Sequence, residues 1–219
     1  MSFIPSVKRD NLVAYYPFNE GSGTTAYDYS GEGNNGTITG AIYQKEKDGE
    51  YSLDFDGSND KIKSTISTGL SSSFTFNCWI NSDNVGKNAG LMRSHVASYN
   101  NYWSLMNVRD TGVVRMSMYD GSNNPVIDST TTLTTGTWYM VTGVRDVPNN
   151  KLHIYINGEW EASVTDSTTS TPTYSDFYIG ELRAISTWYF DGKIRMPIII
   201  TEALSANDIK TLYRQTYIN

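Results

Sequence analysis

The sequence predicts an all-β protein, a two-sheet antiparallel sandwich with one short C-terminal helix. Short runs of period-two alternation recur along the chain and are closed by Gly, Asn, Ser and Thr, which is the spacing of a sandwich or barrel. Only 18% of residues are charged while 13% are aromatic, with 16 Tyr and 5 Trp. Aromatic residues at that level suit pleated, half-buried surfaces. At 219 residues the chain is long enough to bury one core without staples.

Composition also removes several classes. The single cysteine, Cys78, excludes an intrachain disulfide, and two histidines, His95 and His153, cannot build a histidine-rich metal centre. Lys+Arg 17 against Asp+Glu 23 gives a net charge of −6 with no basic cluster, so the counterion release that drives nucleic-acid binding has no source. No apolar run is long enough to cross a bilayer, and residues 1–10 lack the apolar stretch of a signal peptide. The expectation is a chain made in the cytosol, without a leader and without membrane insertion.

In chain order, a first strand is predicted near Tyr51 to Phe55. Ser73 to Ile80 is the clearest: Phe74, Phe76, Cys78 and Ile80 fall on one face, and Thr75, Asn77 and Trp79 on the other. A tryptophan among polar residues suggests that this second face is partly wet. A hairpin is expected from Tyr102–Val108 through Asp110-Thr111-Gly112 to Val113–Tyr119, and a strand over Trp138 to Val144. Leu152 to Trp160 holds an Asn157-Gly158 pair suited to a type I′ turn. That turn points Leu152, Ile154 and Ile156 inward and His153 and Tyr155 outward. Asp166 to Ser175 reads as a loop, and Phe177 to Ile179 as a strand. The helix follows Ser205, a capping residue with Asp208 at the third helical position. Leu204 and Ile209 form a hydrophobic staple, and Ile209, Leu212 and Tyr213 a buried stripe. The helix is expected at one edge or end of the sandwich. Residues 1–11 read as an N-terminal arm and 12–219 as one domain.

In this order the motifs resemble the laminin-G-like group of concanavalin A-like jelly rolls. The opening Leu12 to Thr24 looks like the family's first strand and turn, followed by Asp28-Tyr29-Ser30-Gly31 and Asn34-Asn35-Gly36-Thr37. Leu53 to Gly57 with Asp60, the strand bearing Trp79, Gly136-Thr137-Trp138-Tyr139 and Tyr155 to Gly158 come next, then Ile179-Gly180, Phe190 to Ile194, and Ala203-Leu204-Ser205. The resemblance implies a jelly roll used for binding or adhesion, without fixing a ligand. It also implies a structural calcium near Asp28 and Asn35, completed by an acidic pair after the isoleucine of Phe190 to Ile194. Here Arg195 and Met196 occupy those places, so a carboxylate ligand is missing. The other reading of Asp28 is a cap on backbone amides.

Glu46, Asp48 and Glu50 spell the E-x-D-x-E string of jelly-roll β-glucanases, in which alternate carboxylates share one face. Lys47 and Gly49 between them favour a solvated turn. Asp54 to Asp60 reads as a strand end and tight turn, and Cys78 as a buried apolar residue. The aromatic residues exceed what a core consumes, and rings beside Asn and Asp hold sugars or make protein interfaces. Trp79 and the loop residues Tyr99, Tyr102 and Trp103 are the candidate stacking groups. The sequence therefore predicts a non-catalytic binding module, first as a homo-oligomeric structural or decoration component on a viral particle, contacting neighbouring subunits or cell-surface glycan. A free glycan-binding module is the alternative, and a glucanase using Glu46 and Glu50 the least favoured.

Overall fold

The computed structural model describes residues 9–66, 70, 72–95, 104–169, 176–182 and 188–217. These residues form sixteen strands, one α-helix and a short 3-10 turn at Arg9–Asn11. In order they are β1 (Leu12–Tyr15), β2 (Thr25–Ala26), β3 (Gly36–Thr39), β4 (Ile42–Lys45), β5 (Tyr51–Asp56), β6 (Lys61–Ser64), β7 (Phe74–Ser82) and β8 (Ala89–His95). Then come β9 (Ser104–Val108), β10 (Val113–Met118), β11 (Val126–Thr132), β12 (Trp138–Asp146), β13 (Lys151–Ile156), β14 (Glu159–Thr165), β15 (Asp176–Ile179), β16 (Asp191–Ile200) and α1 (Ala206–Thr216).

The chain passes repeatedly between two eight-stranded antiparallel sheets. The first runs β14-β13-β12-β7-β16-β5-β4 with β1 paired to β16, and the second β11-β10-β9-β8-β15-β6-β3-β2. Period-two alternation explains the layering. Phe74, Phe76, Cys78, Ile80, Leu152, Ile154 and Ile156 all enter the main core, as the alternation predicts. Met106, Met116 and Phe177 face them from the second sheet, and Phe76 meets Phe177 edge to face at 5.2 Å. The predicted hairpin turn is present, with Asn157 at φ 52° and Gly158 at φ 81°.

Where β11 and β14 leave the two sheets open on one side, Glu161 joins them. Its carboxylate accepts from the amides and hydroxyls of both Thr130 and Thr131. Burial alone would raise its pKa, but these donors outweigh burial and hold it below the usual glutamate range. The pairing occupies backbone donors that an open edge would present to other chains.

The helix begins as the sequence predicts, with Ser205 and Asp208 exchanging both bonds of a capping box. Its position differs from the expectation. Instead of an edge or end, α1 lies across the outer face of the first sheet, where Leu204, Ile209 and Leu212 pack on Trp79, Met140, Val144 and Tyr155. Trp79 is therefore not on a wet face. It is 1% exposed, stacked on Tyr213 at 5.6 Å, and its Nε1 donates to Thr216 Oγ1 at 2.9 Å. Among the described residues no helix is long and apolar enough to cross a membrane.

Replacing Trp79 by Ala removes the ring on which α1 sits, and large-to-small core changes of this kind cost about 3–5 kcal/mol. Thermal unfolding of Trp79→Ala is expected to show that loss, with faster amide exchange at Ile209 and Leu212 than in β7 itself.

Candidate ligand-binding groove

Beside the part of the first sheet that α1 covers, a strip of the outer face stays open, and strand register decides which side chains line it. Trp138 of β12 stands opposite Asn81 of β7, Asn81 opposite Lys193 of β16, Lys193 opposite Asp54 of β5, and Asp54 opposite Ile42 of β4. One continuous row thus crosses five strands. A second row lies beside it, where Asp191 pairs with Asp56 and accepts through its carbonyl from the Asp83 amide at 2.9 Å.

Two hollows share this surface. The first, about 340 Å³, is lined by Trp138, Gly136, Asn81, Lys193 and the turn from Glu46 to Asp48. Trp138 also packs against the cluster beneath α1, so its ring is held by the core. Asn81 Nδ2 donates to the Gly136 carbonyl at 3.1 Å, and Lys193 Nζ lies 3.4 Å from Glu46 Oε1. These groups combine a ring with amide, ammonium and carboxylate functions, the set that grips a polyhydroxylated ligand.

The second hollow, about 480 Å³, is lined by Gly40, Ile42, Asp54, Asp56, Asp60, Asp83 and Asp191 among others. Its carboxylates disturb one another. Asp54 is raised by burial and then by Asp83, Glu46 and Asp191, with Lys193 opposing. Asp191 is raised by burial and by Asp83 and Asp56, with Lys87 opposing. Asp60 is raised by burial and by Asp56 and Asp54, against the hydrogen bond from the Asp56 amide. The reading of Asp54 to Asp60 as a strand end and turn agrees with this geometry: the Asp56 amide donates to Asp60 Oδ2 at 2.9 Å and the Ser58 amide to Asp56 Oδ1 at 2.8 Å.

Glu46, Asp48 and Glu50 lie in the turn between β4 and β5, so they do not alternate along a strand face. Asp48 is tied to Arg195 at 2.6 Å. Burial alone would raise it, but this bond and neighbouring amides hold it below the usual range. Glu46 Oε1 accepts from Ser52 Oγ at 2.6 Å. Arg195 stands opposite Trp79, and beyond it the register of β16 slips before Ile198, with Met196 at φ 48°.

The residues around Asp28 do not fit a calcium ion. Asp28 Oδ1 accepts from the amides of Tyr15 and Ser30, and Oδ2 from Ser30 Oγ and the Asn34 amide. Asn35 Oδ1 accepts from the Asp28 amide, and the Asn34 carbonyl from Tyr16 and Ser64 hydroxyls. Oxygens so committed to donors have little left for a cation that needs six to eight oxygen ligands. Among the described residues no group of three or more His, Cys, Asp or Glu is placed to hold a metal. Asp28 thus ties the turn to β1.

Of the predicted stacking groups, Trp79 is enclosed under α1, and Tyr99, Tyr102 and Trp103 lie outside the described residues. Cys78 is buried, which pushes its thiol pKa up. The outer face of the second sheet spends its charges internally. Arg93 lies 4.5 Å from the Tyr178 ring centre and pairs with Glu181, and Lys61 and Lys63 pair with Glu181 and Asp176. The groove residues Trp138, Asn81, Lys193, Asp83 and Asp191 were not named from the sequence as binding residues, and Asp54 was read there only as part of the turn from Asp54 to Asp60. The alternation that put Trp79 outward also puts Asn81 outward, which was the available signal.

A family model described as the concanavalin A-like lectin/glucanases superfamily matches residues 55–210. The chain belongs to that superfamily. No curated protein sequence matches it. Among solved structures, the fold is similar to the receptor binding domain of botulinum neurotoxin C/D mosaic serotype, with TM-score 0.73, 17% identity, and coverage of 95% of this chain and 52% of that one. It is also similar to the binding domain of Paraclostridial Mosquitocidal Protein 1, with TM-score 0.74, 16% identity, and coverage of 94% and 52%. A Trypanosoma rangeli sialidase mutant gives TM-score 0.73 at 16% identity, covering 94% of this chain and 33% of that one. The chain spans about half the length of the two binding domains. These likenesses show a shared jelly-roll fold.

Asp191→Asn removes one charge from a row in which like charges directly opposite cost about 0.2–1 kcal/mol. Carboxyls raised in the folded state bind more protons there than in the unfolded chain, so their repulsion is relieved as pH falls through their folded pKa values and is full above them. The variant is expected to melt about 1–2 °C above the parent at neutral pH, with that gain shrinking as pH falls towards the ordinary carboxylate range.

Proposed function

We propose that the protein is a non-catalytic binding module that holds a glycan in the open groove of the first sheet. The observation that carries this is the unbroken row Trp138–Asn81–Lys193–Asp54 beside two hollows. A core-held indole supplies a stacking surface without ordering a free side chain, and flanking amide and carboxylate groups match sugar hydroxyls. Hydrolysis is disfavoured by the same geometry. Glycosidases flank the scissile bond with two carboxyl groups, whereas the Glu46 to Glu50 acids lie in a turn, where Ser52 and Arg195 already occupy Glu46 and Asp48. Structural similarity to toxin binding domains agrees with a module that recognises a partner.

The test is a glycan array followed by titration calorimetry. The parent chain is expected to bind at least one oligosaccharide, and Trp138→Ala to weaken it about tenfold or more, ~1.4 kcal/mol, while its strand circular-dichroism signal is retained. Unchanged affinity in that variant excludes the groove.

As the setting for this module we propose the surface of a viral particle, in a homo-oligomer. A single, buried cysteine and a sequence low in charge and rich in Asn, Thr and Tyr support a chain folded without disulfides and presented in an assembly. Light scattering from the purified full chain is expected to give a mass that is a multiple of 24.5 kDa. A monomer at all concentrations counts against the assembly.

A further inference from the structure

The two hollows differ in charge, and their order along the row is set by register. The hollow at Trp138 holds Glu46 and Asp48 against Lys47 and Lys193, a balanced set. The neighbouring hollow gathers Asp54, Asp56, Asp60, Asp83 and Asp191. Lys87 sits beside it with Nζ donating to the Gly57 carbonyl at 3.0 Å. From Trp138 to Asp54 the row crosses three strand spacings, ~14 Å.

Asp60 gives the acidic hollow its depth. Its side chain is almost enclosed, at 4% exposure. Oδ2 accepts from the Asp56 amide, while Oδ1 has no donor among the described residues. Gly40, at φ +78°, borders it so closely that a Cβ there would stand 1.7 Å from Oδ1. A side chain at that place would collide with the oxygen, so the approach of Asp60 to the lining of the hollow depends on glycine.

Resting on the groove reading above, we infer that the ligand is an extended glycan of about three or more sugar units, laid across the strands, with free amino groups that meet the aspartate hollow. A protonated amine makes charge-assisted hydrogen bonds to carboxylates and removes repulsion that the free protein carries between directly opposed aspartates. Carboxylated and sulfated glycans meet the same field with the wrong sign. A basic peptide is less well served along most of the row: β12, β7, β16 and β5 are paired on both sides, so an extended peptide could join only the edge strand β4 beside the aspartate hollow, whereas ring stacking on Trp138 needs no strand edge.

The experiment is titration calorimetry of the full chain at mildly acidic pH with glucosamine oligomers of two and four units, their N-acetylated counterparts, and a lysine-rich peptide. Parent, Trp138→Ala and the double variant Asp54→Asn/Asp191→Asn are compared. The expected result is that the glucosamine tetramer binds at least tenfold more tightly than both its acetylated form and the dimer. The double variant is expected to lose the preference for the amine while keeping the weaker binding of the acetylated tetramer. Equal affinity for amine and acetyl forms, or for dimer and tetramer, overturns this inference and leaves the groove reading intact. Tighter binding of the peptide than of the tetramer overturns it in favour of a protein ligand. Glycan binding that ignores Trp138→Ala, or no glycan binding at all, overturns the groove reading itself.

Discussion

The docking of α1 on Trp79 decides what the rest of the first sheet can do. A sheet with two apolar faces must cover both, and β7 carries Trp79 opposite its core-facing Phe and Ile residues. The Trp79–Tyr213 stack and the Nε1 bond to Thr216 settle the helix over Met140, Val144 and Tyr155. Gly158 permits the approach, since a Cβ there would stand 2.8 Å from Tyr213 Cβ, and Lys210 pairs with Glu159 at the rim. What α1 leaves uncovered, two residues along each strand from the covered row, is the groove.

Arg195 shows how one substitution relative to the family pattern redistributes charge. In the place where the resemblance implies a carboxylate for calcium, the chain has a cation that is 5% exposed and bound to Asp48. Removing Asp48 would leave that enclosed guanidinium without compensation. Arg195 therefore fixes the turn from Glu46 to Glu50 against the sheet as one wall of the Trp138 hollow. Asp28 itself binds only amides and a hydroxyl, so the turn that a metal would organise is organised by hydrogen bonds.

Much of this was legible in the residues. The Phe74 to Ile80 alternation, the Asn157-Gly158 turn and the Ser205/Asp208 box are local devices, each complete within a few residues, and all three form as read. The misplacement of Trp79 has a non-local cause: alternation says which way a side chain points, and what lies above it depends on a helix more than 120 residues later. The groove is harder still. Its row joins residues from five strands between positions 42 and 193, and a slip of one residue in any pairing would send that strand's contribution to the core. Gly136 to Tyr139 was legible as a strand start, but nothing local places Trp138 beside Asn81.

The two ends of the groove also differ in how they are prepared. Trp138 is preorganised, because the packing that holds α1 also holds one side of its ring, so a sugar meeting the other side loses little side-chain freedom. The aspartates are prepared in the opposite sense. Their pKa values stand raised in the free protein, first by burial and then by one another, so the ionised set carries a cost that no neighbouring cation fully relieves. Elsewhere the chain treats acids differently: Glu161, Asp120 and Asp48 are each held low by directed donors. Strain confined to one hollow, beside a ring held rigid by the core, is the pattern expected where local stability is given up for recognition. Binding free energy at that end then comes from relieving a repulsion already present as well as from new contacts.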